Sequence, residues 1–383
     1  MRVCMISPHL APEQAANALL PRALGDELAS HDVATRYVAH WPASRDAAPL
    51  VRDVRDQVTY VRRRSRGALG RTLAGALVAG LRMAWGTGRP VRWSELVHLH
   101  SNGLIIEVGQ FLAARYRKPY VITLYGSDVW HHDPIRHARF AGVVRNARCR
   151  VFYSQGLLDF AKGLGLAPDP SVVIYAPVPS SFRPVDQATR RALLSELGVG
   201  GGPLLLTVKR LHPVGGHEDL LRAVPAIVKQ FPDAQLWLAG EGELRPALEA
   251  MAHDLGIASH VRFLGRVSNE VLWRYYSGAD VFVLPSRLES WGTVMLEALA
   301  CGTPVVATAT AGAREVHSQF PADVTLCEPE NADALAATVN RRLHEDRRTE
   351  PATLLRLQER FSRSTCAAEY LRVYRQALGR GAS

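Results

Sequence analysis

Residues Val281 to Glu315 read VFVLPSRLESWGTVMLEALACGTPVVATATAGARE, and the order of apolar runs and breakers in them decides the fold. Val281 to Leu284 is a short apolar run closed by Pro285, the pattern of a buried strand followed by a turn. A helix begins near Thr293, and Pro304 to Ala307 supplies another buried strand. Strand, helix and strand in that order predict a parallel sheet covered on both faces. The loop Glu289-Ser290-Trp291-Gly292 then lies at a helix N-terminus, where unpaired N–H groups and the helix dipole favour an anion such as phosphate. Gly292 lets that backbone come close. Glu289 in the loop and Glu297 on the first turns of the helix are two carboxylates able to face the same cleft. Carboxylates accept hydrogen bonds from hydroxyls, and sugars are made of hydroxyls.

Outward from this stretch the same alternation fills the chain. In the first half, strands are expected at Val3 to Ile6, Val33 to Val38, Leu96 to His100 and Tyr120 to Leu124, with helices at Ala18 to Ala29 and near Ile105 to Ala114. After a Pro-rich crossing, Pro177 to Pro184, further strands are expected at Leu204 to Val208, Gln235 to Ala239 and Val261 to Leu264. Helices are expected there at Glu218 to Val228 and Leu244 to Leu255. The closing segment, Ala352 to Leu378, has a helical pattern anchored by Phe361, Tyr370 and Tyr374 and is expected to pack across both domains. The fold class is α/β, with two doubly wound sheets facing a central cleft, where strand C-termini and helix N-termini converge and ligands bind. The expected domains are 1–180, 181–355 and a C-terminal helix over 356–383 that crosses back to the first.

The bulk composition agrees with this reading and removes others. A chain of 383 residues with 47% hydrophobic and 21% charged content, Gly 30 and Pro 23, is globular, which excludes disorder, collagen and disulfide scaffolds. Cys4, Cys149, Cys301, Cys327 and Cys366 are scattered without a CxxC, so free thiols are expected rather than disulfides or zinc. The apolar run Thr72 to Leu81 is cut off by Arg71 and Arg82, far short of the roughly 20 residues a bilayer needs. MRVCMIS breaks into SPH too early for a secretory leader. A cytoplasmic protein is expected.

The formal charge of +10 is not evenly spread: residues 1–180 hold 23 Lys and Arg against 13 Asp and Glu, and residues 181–383 hold 23 against 23. The run Arg62-Arg63-Arg64-Ser65-Arg66 before the apolar Leu69 to Trp85 has two readings. One is a solvated charge run; the other is contact with an anionic inner membrane face, where a lipid-linked acceptor would sit. Nucleic acid is not expected, since no recognised binding motif accompanies the basic residues.

The segment from Val281 resembles the retaining glycosyltransferases of family 4, the glycosyl transferases group 1 of the two-domain GT-B fold, which show Glu-x7-Glu followed by A-x-G-x-P-V-V-A. The match runs from Glu289 to Glu297 and through Ala300, Gly302, Pro304, Val305, Val306 and Ala307. KRL at Lys209 to Leu211, AGEGE at Ala239 to Glu243 and VRFLGRV at Val261 to Val267 follow the family's order at about its spacing. The resemblance implies transfer of a sugar from a nucleoside diphosphate to a glycan or lipid-linked acceptor hydroxyl, with retention and without a metal or cofactor. Bacterial surface polysaccharide assembly is its usual setting. It implies that Glu297 holds the ribose and Glu289 the donor sugar. Arg210 would neutralise the diphosphate, helped by N–H groups around Ser290, Trp291, Gly292 and Thr293. Gly240, Glu241 and Gly242 would leave room for the nucleotide, and the backbone near Arg266 and Val267 would meet the base.

Three positions depart from that pattern. A second cation expected five residues after Arg210 is absent, because Gly215 stands there, and Lys209 and His212 are the candidates to substitute. Tyr125 replaces a histidine in LYGSD, Leu124 to Asp128, and carries no charge at neutral pH. Pro12 to Asn17 reads PEQAAN where the family often has paired glycines; Ala15, Ala16 and Asn17 are small enough to keep some room on the acceptor side. These changes leave open a non-catalytic partner subunit that retains nucleotide or glycan binding. An epimerase or hydrolase on the same fold is the other alternative.

Other residues carry paired readings. Arg210 is either a diphosphate cation or a partner of Glu218 or Asp219. Asp128 is either catalytic or a helix N-cap. His98 and His100 share a strand face, and His131 and His132 are neighbours near Tyr125. Their spacing shows no convergent metal ligands, and structural roles are expected.

Overall fold

A computed structural model describes residues 1–10, 16–42, 52–55, 57–61, 73–133 and 137–380 of the chain. They form two compact units, residues 1–176 with 363–383, and residues 177–362. The division falls at Pro177 and Arg363, where the sequence suggested 181 and 356.

In the first unit the strands are β1 (Arg2–Ile6), β2 (Ala34–His40), β3 (Arg52–Arg55), β4 (Val58–Val61), β5 (Leu96–His100), β6 (Tyr120–Leu124), β7 (Cys149–Phe152) and β8 (Ser171–Val173). They lie in the order β3-β4-β2-β1-β5-β6-β7-β8. All pairings are parallel except β3 with β4, which is antiparallel at the edge. Helices α1 (Ala16–Ala29), α2 (Leu73–Trp93), α3 (Leu104–Arg115), α4 (Ser127–Trp130), α5 (Ala138–Arg145) and α6 (Gln155–Gly163) belong to the same unit. Both sheet faces are buried: Cys4, Ile6, Val97, Leu99 and Ile122 join one core, and Val3, Met5, Leu96 and Val121 join the other. That two-sided burial is why these strands read as continuous apolar runs.

The second unit begins with α7 (Gln187–Leu197), capped by Asp186, and continues through β9 (Leu204–Val208), α8 (His217–Gln230), β10 (Gln235–Ala239), α9 (Arg245–Asp254) and β11 (Val261–Gly265). It closes with α10 (Asn269–Gly278), β12 (Val281–Leu284), α11 (Thr293–Ala300), β13 (Val305–Thr308), α12 (Ala311–Gln319), β14 (Val324–Cys327), α13 (Ala332–His344) and α14 (Pro351–Phe361). The sheet order is β11-β10-β9-β12-β13-β14, parallel throughout. Strand order reverses between β9 and β12, so the crevice beyond their C-terminal ends is this unit's ligand-binding position by topology.

The closing segment forms two helices, the second of which returns to the first unit. Ser362 is extended, with φ −72° and ψ 156°, and divides α14 from α15 (Arg363–Ala377). Phe361 packs with Trp291 and Phe320 in the second unit. Tyr370 and Tyr374 enter the first unit's core, where Tyr374 Oη meets His98 Nδ1 at 2.7 Å and Tyr370 Oη meets Thr123 Oγ1 at 3.1 Å. Each helix thus completes one unit. All five cysteines are free and buried. Among the described residues, no helix is long and apolar enough to cross a membrane, and no group of three or more His, Cys, Asp or Glu is placed to hold a metal ion.

Candidate active site

At the switch point of the second sheet, the loops leaving β9 and β12 bring Lys209 and Glu289 together. Lys209 Nζ lies 2.5 Å from Glu289 Oε2, with side chains only 19% and 15% exposed. The Glu289 loop is fixed from three directions. Its carbonyl accepts the Gly312 N–H at 3.1 Å, the Trp291 ring is buried in a stack 5.9 Å from Phe361, and Gly292 takes the left-handed conformation, φ 73°, as N-cap of α11. A Cβ on Gly292 would also approach Met295 Cε to 2.5 Å, so both backbone and space call for glycine here. The first turn of α11 is thereby presented beside Glu289, with N–H groups that have no partner inside the helix. Trp291 contributes its backbone to this loop while its side chain belongs to the core.

One helical stretch further on, the Glu297 carboxylate accepts a hydrogen bond of 2.9 Å from the buried Tyr276 hydroxyl. Burial pushes its pKa up to about 7, partly opposed by that hydrogen bond. The group therefore titrates near neutrality. Behind it, Arg348 Nη2 donates to the Cys301 carbonyl at 3.2 Å and to Thr303 Oγ1 at 2.9 Å, tying the C-terminal end of α11 to its surroundings.

The other donor-side candidates sort differently. Arg210 is 73% exposed and its carboxylate partner is Glu243, at 3.6 Å, rather than Glu218 or Asp219. Asp219 is taken by Arg222 and Arg287, each at 2.9 Å. His212 also approaches Glu243, at 3.5 Å. Arg266 pairs with Glu241 at 3.2 Å on the surface, and Val267 and Thr293 are half-buried. The space left by Gly240 and Gly242 goes to protein backbone: Cβ atoms there would lie 1.9 Å from the Lys209 carbonyl and 2.1 Å from that of Leu211. These glycines let the loop after β10 pack against the loop after β9, and Gly240 N–H donates to the Gly265 carbonyl at 2.8 Å.

His217, which the motif comparison passed over, is fully buried at the start of α8. Burial and the Lys209 charge push its pKa down to about 4, so the ring is uncharged. Its only signal in the sequence was a position two residues past Gly215.

In the first unit, the buried Asp128 accepts the Gly126 N–H at 2.8 Å and the Tyr125 N–H at 3.1 Å. It lies inside α4, whose N-cap is Gly126, and its carboxylate braces the turn after β6 instead of capping as the N-cap residue itself. Tyr125 Oη meets His100 Nδ1 at 2.8 Å. The His98 and His100 rings sit 3.8 Å apart, and His98 Nε2 meets Thr123 Oγ1 at 2.8 Å. Burial pushes both histidines far down, His100 to about 3. His132 faces His137 with ring centroids 5.7 Å apart. Ala15 and the arginines Arg62, Arg63, Arg64 and Arg66 lie outside the described residues, as do the side chains of Ala16 and Asn17.

Comparison with known proteins relates the second unit to a family. Residues 193–362 match the model of glycosyl transferases group 1. A GDP-mannose-dependent alpha-(1-6)-phosphatidylinositol monomannoside mannosyltransferase of Mycolicibacterium smegmatis is 31% identical over 241 residues, 60% of this chain and 62% of that protein. A D-inositol 3-phosphate glycosyltransferase of Thermomonospora curvata is 37% identical over 188 residues, 45% of this chain and 42% of its own. The aligned regions thus span less than two thirds of these relatives. Among solved structures, sucrose-phosphate synthase from Thermosynechococcus elongatus superposes with a TM-score of 0.78 at 22% identity, covering 99% of this chain and 100% of the other. Anabaena HepE in complex with UDP and glucose gives 0.77 at 18% identity, covering 98% and 99%. The chain has the GT-B fold, and its residues 193–362 are similar to the glycosyl transferases group 1 family.

Proposed function

We propose that the protein is a retaining glycosyltransferase that moves a sugar from a nucleoside-diphosphate sugar to a glycan or lipid-linked acceptor. One observation carries the reading: Glu289 and Glu297 flank the N-terminus of α11 at the sheet's switch point, with Lys209 beside the first carboxylate. In this reading Glu297 accepts the ribose hydroxyls and Glu289 those of the sugar, while the α11 N-terminus, Lys209 and Arg210 face the diphosphate. The bond from the anomeric carbon to the diphosphate oxygen breaks and its electron pair leaves with the diphosphate. An acceptor hydroxyl oxygen bonds to that carbon on the same face, and its proton passes to the departing phosphate. Fixed donors aimed at the developing charge lower the barrier because they need no reorganisation; the scheme uses no metal.

The names of the mannosyltransferase relatives make GDP-mannose the first donor to try and a phosphorylated inositol lipid the first acceptor. Surface polysaccharide or glycolipid assembly at the inner membrane face is the proposed setting. The charge excess of the first 180 residues supports peripheral attachment there through Arg62, Arg63, Arg64 and Arg66. The intact carboxylate pair favours an enzyme over a non-catalytic partner subunit.

Thermal stabilisation across UDP, GDP, ADP and their sugar conjugates tests the donor site, since a ligand at 100 times its Kd adds about 2.7 kcal/mol. A selective shift that disappears in Glu297→Ala is expected, followed by product of unchanged anomeric configuration from the selected donor. Absence of any shift in the folded protein overturns the reading.

A further inference from the structure

The ring of His217 is fully buried, yet among the described residues neither Nδ1 nor Nε2 has a hydrogen-bond partner. Native folds seldom leave buried polar atoms in that condition without a functional reason. The position of the ring also accounts for Gly215. A Cβ at 215 would lie 2.5 Å from His217 Cε1, 2.6 Å from its Nδ1 and 3.2 Å from the Arg210 carbonyl. The imidazole therefore occupies space that a side chain at 215 would need, at the position where the family resemblance expects a lysine.

The first turn of the helix that His217 begins carries two acids, Glu218 and Asp219, of which Asp219 is neutralised by Arg222 and Arg287. Lys209, which holds Glu289, is close enough for its charge to act on the ring. His217 is the first residue of a 14-residue helix whose N-cap, Gly216, supplies no side-chain hydrogen bond. An unpaired imidazole, a lysine and the positive end of a helix thus meet just past the end of β9. An uncharged imidazole always offers one N–H donor, and a phosphate oxygen is an acceptor that would satisfy it.

We propose that His217 is a donor-binding residue, giving a ring N–H to a diphosphate oxygen of the nucleotide sugar and replacing the lysine that Gly215 omits. The inference rests on the function proposed above. It moves the second phosphate contact from a charged side chain at 215 to a neutral one two residues later.

Calorimetric titration of the full chain with GDP, UDP and ADP, with the matching nucleosides, and with inorganic pyrophosphate tests it. His217→Phe keeps an aromatic ring in the pocket but removes the donor. It should weaken diphosphate binding roughly tenfold, about 1.4 kcal/mol, and leave nucleoside binding unchanged. His217→Gln, which retains an N–H, should recover part of the loss, and Gly215→Lys in a His217→Val background should recover more. In the unaltered protein, pyrophosphate should shift the His217 ring-nitrogen resonances, a readout independent of any variant's folding. An unchanged ratio of diphosphate to nucleoside affinity in His217→Phe overturns the assignment while leaving the donor site standing. Equal loss of both affinities also overturns it, because a collapsed pocket is structural. If the unaltered protein binds neither nucleotide nor pyrophosphate, the glycosyltransferase reading falls first and this contact with it.

Discussion

Replacing Glu297 by Gln should make the protein more stable and less able to bind a nucleotide, and the size of the first effect follows from the site. The Glu297 carboxyl has its pKa raised from 4.5 to about 7, chiefly by burial. A carboxyl raised by folding contributes stability that is fully present below 4.5 and is lost as pH rises through 7. At about 1.36 kcal/mol per unit, the full shift corresponds to about 3 kcal/mol at pH 8. Glu297 keeps some solvent contact, so about 2 kcal/mol is the working figure. Gln imitates the protonated acid and can still accept from Tyr276, so it retains this stability at every pH. The assay is unfolding of both proteins between pH 4.5 and 8.5. The difference should be near zero at the acid end, grow from pH 4.5 to 7 and level off above. For a unit of this size, roughly 4–8 °C in unfolding midpoint at pH 8 is expected. Nucleotide affinity should fall, since an amide accepts fewer hydrogen bonds from ribose hydroxyls than a carboxylate. A variant no more stable than the parent at pH 8 would refute the claim that burial strains this carboxylate.

Two further outcomes follow from other parts of the molecule. Trp291→Ala empties a buried stack against Phe361 and should cost about 3–5 kcal/mol in denaturant unfolding; loss of nucleotide binding in the still-folded fraction would show that the stack also holds the Glu289 loop. His98 and His100 are kept uncharged in the fold, while the unfolded chain takes up protons below about 6.5. Stability should therefore be complete above pH 6.5 and decline on acidification towards 3, with a slope of up to about 1.4 kcal/mol per unit for each histidine. His100→Phe should reduce that slope by one proton, and an unchanged slope in proton-linked unfolding would count against its burial as a neutral ring.

The parts legible in the sequence were those whose environment repeats along the chain. Strands β1, β5, β6, β9, β10 and β12 are covered on both faces, so each is a run of apolar residues between breakers. What escaped depends on contacts between distant positions. Nothing local separates α14 from α15, because the helical pattern continues through Ser362 and only its extended backbone interrupts it. The glycines at 240 and 242 looked like space for a ligand, yet the atoms that need the space are the carbonyls of Lys209 and Leu211 on another loop. Arg210 matched a motif, but a motif cannot tell that its neighbour Lys209 points to the buried carboxylate while Arg210 remains in solvent.

The different surroundings of Lys209 and Arg210 give them different parts in the proposed reaction. Counting cations by motif position gives one residue present at 210 and one missing at 215. Following the ends of the strands gives a different arrangement, with Lys209 inside, held by Glu289, and Arg210 outside near Glu243 and His212. A shielded ion pair loses little to salt screening but has to be opened before either member can meet a ligand. A nucleoside-diphosphate sugar brings more negative charge than one carboxylate, so in the proposed reaction it competes for Lys209 on favourable terms. Release of Lys209 then frees the Glu289 oxygens for the sugar hydroxyls. Under that proposal the same ligand that recruits the lysine would expose the carboxylate assigned to its sugar. A bare phosphate can do the first of these but gives Glu289 no hydroxyl to accept from. In the proposed reaction the pair would therefore link recognition of the diphosphate to recognition of the sugar within a single unit of the fold.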